Sequence, residues 1–225
     1  ISMIIILTMM TLFKNTSRSV FGQSGNSSTS VAGLIPSAKQ DGQLSTALLT
    51  MQNILQSAGY GIDATTNTHL QLISGASLNT STNKLSGTAS TISASGATGN
   101  TIVWQNNLAF ADGSSDYTCH GLVSDSLTRA VYLIEAPAPC NSLSTTWNTV
   151  AWSKQTLIEP NVLPTAMTFT ALSDTGCSPY GISLQASTVT SASIAGLQVN
   201  ISYANSSVNS SNSYSVCLSN FASAS

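Results

Sequence analysis

The sequence predicts an α+β fold, in which an N-terminal apolar helix precedes a broken second helix packed on an antiparallel β-sheet. Three observations lead to this prediction: an apolar run at the start, a later stretch with apolar residues at three- and four-residue steps, and several short segments with strand composition. Helices followed by a run of strands are typical of a helix layer on a sheet. We expect residues 1–36 to form the apolar helix and a Gly/Ser-rich joint, and residues 37–225 to form one globular domain.

The apolar run covers residues 1–13 and contains no charged side chain. As a helix it would extend about 20 Å, whereas the hydrocarbon core of a bilayer is about 30 Å thick, so this run alone does not span a membrane. Its apolar side chains lie all the way round the helix, which must therefore be enclosed by lipid or by protein. A signal peptide is disfavoured because Lys14 and Arg18 follow the run instead of preceding it, and we favour a longer apolar helix that starts upstream.

A break and a second helix follow the apolar run. Glycines and hydroxyl residues between Gly22 and Ser30 predict irregular backbone, which Gly33 and Pro36 prolong. From Ser37 onward apolar residues recur at helical spacing, and the glycine at position 59 stands where a C-cap glycine is expected. The second helix is therefore predicted to present one apolar face to the sheet.

Short strands are predicted where β-branched and aromatic residues alternate with polar ones. These segments are residues 70–73, 101–104, 130–135, 155–158, 165–171, 197–203 and 213–218. Residues 74–100 are rich in Gly, Ser, Thr and Ala, and we interpret them as long loops in which no strand can be placed.

Hydroxyl residues dominate the composition, with 40 Ser and 27 Thr among 225 residues, while only 6% of the residues are charged and the net charge is -2. The six Lys and Arg residues are scattered singly along the chain. A nucleic acid is therefore not an expected partner, because binding a phosphate backbone requires clustered cations. The 42% apolar content is enough for a sizeable core.

The four cysteines, Cys119, Cys140, Cys177 and Cys217, are 21, 37 and 40 residues apart, and these spacings match no zinc or redox motif. An even number of cysteines in a charge-poor, hydroxyl-rich chain favours disulfides formed outside the cytosol. Three connectivities are possible, and four free thiols are a further alternative. We favour sequential pairing, Cys119 with Cys140 and Cys177 with Cys217, with about 3–4 kcal/mol of stabilisation from each bond.

Residues suited to catalysis are sparse, so no catalytic or cofactor-binding site is predicted. The sequence lacks a nucleophile elbow, a phosphate loop and a zinc-protease motif. We interpret His120, beside Cys119, as a neighbour of a disulfide and not as the base of a nucleophile. Residues 112–116 and Asp125 offer carboxylates to calcium, but they lack the spacing of a calcium loop, so no metal site is predicted. The three tryptophans are expected in the core or at an interface.

Residues 44–61, which end in Ala-Gly-Tyr-Gly, are the first of several segments that resemble one known family. They are similar to the end of the long helix of the PilW-type minor pilins, in the type IV pilin and pseudopilin superfamily. Residues 116–121 are similar to its Asp-Cys-x-Gly element, residues 133–140 to a later strand and cysteine, and residues 153–169 to the stretch before its closing strands. The first three residues, Ile-Ser-Met, fit the apolar segment that follows the leader of such pilins.

The resemblance implies a pilin fold and a structural subunit of an extracellular type IV pilus-like filament. The implied partners are further copies of this chain, other pilins and the pilus assembly machinery, with the inner membrane holding the chain before assembly. A minor pilin or pseudopilin that primes a filament or acts as a tip adhesin is the alternative. The side chains then expected in the filament core are Ile1, Met3, Ile4, Ile5, Ile6, Leu7, Met9, Met10, Leu12 and Phe13. The chain departs from the family at the glycines and proline of residues 22–36, where the helix of the family is usually continuous.

Overall fold

A computed structural model of the protein describes residues 34–107, 117–136, 139–175, 196–204 and 211–221. Two helices and ten strands lie within these ranges. In chain order they are α1 (Leu34–Gln56), β1 (Leu70–Leu78), β2 (Leu85–Ser90), β3 (Ala97–Gly99), β4 (Thr101–Asn106), β5 (Thr118–Ser124), β6 (Val131–Ala136), α2 (Leu143–Thr146), β7 (Ser153–Ile158), β8 (Thr168–Thr175), β9 (Gly196–Ala204) and β10 (Ser211–Leu218).

The strands form two antiparallel sheets. Six strands lie in the order β2, β1, β4, β5, β6, β7, and four lie in the order β10, β9, β8, β3. Helix α1 packs against both sheets, at β7 of the first and β10 of the second. The described part of the chain is therefore mostly β-structure with one long helix, and it contains no N-terminal apolar helix. The predicted α+β pilin fold, with two helices over a single sheet, is wrong.

The second sheet exists because the chain changes sheets inside the segment that the sequence suggested was a loop. Strand β3 pairs with β8, whereas β4, one residue further on, pairs with β1 and β5. Asn100 stands between β3 and β4. Its side-chain oxygen accepts the N–H of Ala76 (2.7 Å), and its side-chain nitrogen donates to the carbonyls of Ala76 and Ser124 (both 2.8 Å). These bonds fix a corner that alternation of apolar and polar residues does not predict.

Each of the seven predicted strands overlaps an observed one, but three observed strands were not predicted. Strands β2 and β3 lie in residues 74–100, where loops were expected. Strand β5 contains the sequence Cys-His-Gly, which has little strand character. Its Gly121 serves close packing, because a Cβ there would lie 2.7 Å from Cγ1 of Val103 and 2.9 Å from the carbonyl oxygen of Ile102.

Helix α1 begins at Leu34, three residues before the predicted start, and includes Pro36. Proline is tolerated there because the N–H groups of the first turn have no acceptor within the helix. The predicted break therefore does not extend to Pro36. Gly59 follows the end of α1 with a φ of 75°, as expected of a C-terminal glycine. The stripe of α1 that faces the core consists of Gln40, Leu44, Ala47, Met51 and Leu55.

The six-stranded sheet curls around a core of its own. The N–H of Trp152, one residue before β7, donates to the carbonyl of Asn83 in the turn between β1 and β2 (2.7 Å). Since β2 and β7 are the two edges of the sheet, this bond joins opposite edges at one end. The curl encloses a core that includes Ile73, Val103, Cys119, Ile134, Leu143 and Trp147. The other face of the sheet, α1 and the four-stranded sheet enclose a larger core that includes Met51, Leu72, Trp104, Phe169 and Val199.

Several predicted features lie outside the described residues. They are the apolar helix at residues 1–13 with all its predicted filament-core side chains, the joint at residues 22–30, the carboxylates of residues 112–116, and Cys177. Within the described ranges, no helix combines the length and the apolar character that crossing a membrane requires.

Candidate functional site

The predicted disulfide between Cys119 and Cys140 is confirmed. It joins β5 to the segment after β6, with the two Cα atoms 5.8 Å apart, and both side chains are buried inside the curled sheet. Cys217 in β10 is also disulfide-bonded, whereas Cys177, its predicted partner, lies outside the described residues. Closing the loop between Cys119 and Cys140 stabilises the folded state by about 3 kcal/mol on the chain-entropy account.

His120 lies on the opposite face of β5 from this disulfide, because neighbouring residues of a strand point to opposite sides. It pairs in register with Trp104 of β4, and the two rings stack with centroids 6.3 Å apart and an interplanar angle of 26°. The sulfur of Cys119 is both bonded to Cys140 and separated from the imidazole by the sheet. These two residues therefore do not form a nucleophile and its base.

Burial lowers the pKa of His120, and the charge of Glu135, its neighbour in register on β6, opposes the shift. The Nε2 atom of His120 and the Nε1 atom of Trp104 are buried, with no hydrogen-bond partner among the described residues. Loss of hydration disfavours the charged imidazolium, so His120 is held neutral to a lower pH than an exposed histidine. Burial also lowers the pKa of His69, whose Nδ1 accepts the N–H of Thr65 (3.0 Å).

Asp125 caps the turn between β5 and β6. Its Oδ1 atom accepts the N–H groups of Leu127 and Thr128, both at 2.8 Å. Residues 112–116, the other carboxylates considered for calcium, lie outside the described residues. Among the residues that the structure does describe, no three His, Cys, Asp or Glu side chains are grouped so that they could hold a metal ion. The carboxylate of Asp125 is therefore assigned to the turn.

The same turn carries Leu127, whose side chain is 88% exposed, more than any other large apolar side chain that the structure describes. Arg129, with a φ of 59°, donates from its guanidinium to Oδ1 of Asn161 (2.5 Å) and to the carbonyl of Pro164 (3.3 Å). The N–H of Asn161 donates to the carbonyl of Thr128 (2.8 Å). The turn and the loop after β7 are thus held together as one surface.

The start of α1 adjoins this surface. The Nζ atom of Lys39 lies 2.5 Å from Oε2 of Glu159, and the N–H of Glu159 donates to the side chain of Gln43 (3.0 Å). The hydrogen bond from Lys39, together with its charge, lowers the pKa of Glu159. Since both partners are exposed, the ion pair adds little stability and mainly orients the two segments. We call residues 38–43, 125–130 and 159–164 together the Leu127 end.

The tryptophans are part of the protein interior and form no exposed stacking surface. Trp104, Trp147 and Trp152 are 0%, 7% and 1% exposed. The Nε1–H of Trp152 donates to the carbonyl of Trp147 (3.0 Å), which satisfies that group inside the curled sheet. Their expected place in the core is therefore observed.

The Leu127 end is the described surface best suited to binding, because it combines an exposed apolar side chain with an ordered backbone. The sequence did not indicate it, since Ser-Asp-Ser-Leu-Thr-Arg is an ordinary turn composition. One signal was present: an aspartate two residues before Leu127 is typical of a side-chain-capped turn. Exposure of the leucine itself has no signal in the sequence.

Comparisons with models of known protein families, with curated proteins and with solved structures find no match to this chain. The residues and geometry of the chain itself are therefore the basis for assigning a function.

Proposed function

We propose that this protein is a structural subunit of an extracellular filament of the type IV pilus kind, and that it polymerises through the apolar segment at residues 1–13. The observation that carries the proposal is the sequence of that segment, with ten apolar side chains and no charge. Before assembly the segment resides in the inner membrane, and the pilus assembly machinery and other pilins are its further partners. This mode of assembly requires an apolar segment and a folded domain, and it does not require a single-sheet domain.

Burial of the segment provides the driving force. Ten apolar side chains at about 1.5–3 kcal/mol each give a gross transfer free energy of about 15–30 kcal/mol, which is an upper bound. Lost translational, rotational and side-chain freedom offsets part of this free energy. Identical segments packed against each other give head-to-tail contacts, and such contacts produce a helical filament when they do not close into a ring.

The folded domain supports an extracellular setting. It contains a buried disulfide, which persists in oxidising surroundings. Many of its exposed strand positions carry hydroxyls, as at Ser86 and Thr88 in β2 and at Ser213 and Ser215 in β10. Such hydroxyls keep the surface hydrated while leaving subunits free of strong like-charge repulsion.

A minor subunit that primes the filament or acts as a tip adhesin is the second candidate. The resemblance of residues 44–61 to minor pilins favours it. Stoichiometry distinguishes the two roles, because a main subunit dominates the protein of purified filaments and a tip subunit occurs at most a few times in each.

The proposal is tested by comparing the chain that carries the apolar segment with a variant lacking residues 1–13, using sedimentation and electron microscopy. We expect filaments from the chain with the segment and a soluble monomer from the truncated one, because the domain keeps both of its cores. Ile6→Asp places a charge in the apolar segment and should prevent polymerisation, whereas the matched control Ile6→Leu should not. Filaments formed by the truncated chain would show that another surface drives assembly.

A further inference from the structure

The side chain of Leu127 is exposed to solvent on a turn whose backbone is fixed by hydrogen bonds. The N–H of Asp125 donates to the carbonyl of Ala130 (2.9 Å), and the N–H of Arg129 donates to the carbonyl of Asp125 (2.8 Å). The carboxylate of Asp125 fixes the N–H of Leu127 itself (2.8 Å). A side chain on a pre-organised backbone loses little conformational entropy on binding. Leu127 is therefore well suited to enter an apolar contact.

Helix α1 begins at this same end. Lys39 and Gln43, in the first half of α1, contact Glu159, whose loop is bonded to the turn of Leu127. Residues 14–33 separate the apolar segment from α1. These twenty residues reach at most about 66–72 Å when fully extended. This length lets the apolar segment lie against a Leu127 end, and in a filament that end can belong to a neighbouring copy.

The charges of the two surfaces are complementary. The Leu127 end carries two cations and three carboxylates, a net charge of -1, from Lys39, Arg129, Asp41, Asp125 and Glu159. The apolar segment is followed by two cations, Lys14 and Arg18, with no carboxylate before Leu34. Opposite net charges favour this pairing. They disfavour the anionic surface of a membrane as the partner of the Leu127 end.

We propose that the Leu127 end binds the apolar segment, residues 1–13, of a second copy of the chain, with Leu127 as the central contact. This inference rests on the proposed filament, because only assembly between copies brings one apolar segment to the domain of another. It adds a specific docking surface, which packing of apolar segments against each other does not provide.

Photo-crosslinking in the chain that carries the apolar segment tests the contact. A benzophenone-bearing amino acid is placed at position 127, and a control carries it at position 60, where Tyr60 is 43% exposed beyond the other end of α1. Filaments are irradiated, separated on a denaturing gel and mapped by mass spectrometry. We expect position 127 to give crosslinked dimers that contain the peptide of residues 1–14, and position 60 to give none.

A second measurement uses the critical concentration for polymerisation. Leu127→Ala should raise it about tenfold or more, since burial of a leucine side chain then no longer favours assembly. Leu49→Ala is the matched control, because Leu49 is 65% exposed on α1 away from the Leu127 end, and it should leave the critical concentration unchanged. Equal values for the two variants would count against the docking surface.

The outcomes separate this inference from the function on which it rests. Filaments that form normally, with crosslinks from position 127 to another part of the chain, to lipid, or only within one copy, overturn the docking surface and leave the filament intact. If the chain that carries the apolar segment forms no filaments, both proposals are overturned.

Discussion

Replacing Asn100 by alanine should destabilise the protein strongly, because this one side chain fixes the corner at which the chain passes from the four-stranded sheet to the six-stranded sheet. Its three hydrogen bonds reach the N–H and carbonyl of Ala76 and the carbonyl of Ser124, at 2.7–2.8 Å. A net value of about 0.5–1.5 kcal/mol for each of the three bonds gives a loss of about 1.5–4.5 kcal/mol. Two backbone hydrogen bonds remain in the variant: the N–H of residue 100 donates to the carbonyl of Ile73, and its carbonyl accepts the N–H of Ser124. The loss is a large fraction of the roughly 5–15 kcal/mol that stabilises a typical domain.

Urea denaturation of the domain, followed by circular dichroism without reductant, measures this loss. The midpoint should fall by about 1–2 M at a urea dependence of about 2 kcal/mol per molar, the middle of the typical range. Asn53→Ala, at an exposed position of α1, is the matched control and should change the free energy of unfolding by less than about 0.5 kcal/mol. If Asn100→Ala matched that control, the corner would depend on its backbone bonds alone, and the role given to the side chain would be wrong.

Three further predictions concern the cores. Replacing both Cys119 and Cys140 by alanine should lower the free energy of unfolding by about 3 kcal/mol. In a urea titration, reductant should then lower the free energy of unfolding of this variant less than that of the unaltered protein. Burial lowers the pKa of His120 and His69, so below about pH 6.5 the unfolded chain binds protons that the folded chain excludes. The free energy of unfolding should therefore be highest with respect to these two groups above about pH 6.5. It should fall as the pH drops from there through the folded-state pKa values. Urea midpoints at pH 7.5 and 5.5 measure that fall, which His120→Gln should reduce, and equal midpoints in the unaltered protein would contradict it. Gly121→Ala should cost about 1–3 kcal/mol through overpacking, whereas Gly42→Ala, where a Cβ meets nothing within 4 Å, should stabilise α1 by about 0.5–1 kcal/mol in thermal unfolding.

The sequence predicted most strands but not their arrangement. Segments with alternating β-branched residues were recognised because that alternation arises from one buried and one exposed face. Strand β5 was not recognised, because Cys119 is selected for a disulfide and Gly121 for close packing. The second sheet depends on a bend at Asn100, where three hydrogen bonds link residues that are 24 apart in sequence. Periodicity reports on which face is buried and carries no information about such contacts.

The candidate binding surface was even harder to predict from the sequence than the sheet arrangement. Sequential pairing of Cys119 with Cys140 was predicted from the sequence and is confirmed. The exposure of Leu127 follows from a turn held by Asp125 and by the cross-loop contact of Arg129 with Asn161. The last contact joins residues 32 apart, so only the folded structure brings it together.

The central claim is that residues 1–13 hold neighbouring subunits together, and electron cryomicroscopy of filaments formed by the chain with this segment tests it most directly. We predict a dry axial core built from this segment of many subunits, surrounded by the disulfide-bonded β-domains. A filament whose subunits contact each other only through the β-domains, with residues 1–13 on the outside, would contradict the proposed mechanism of assembly.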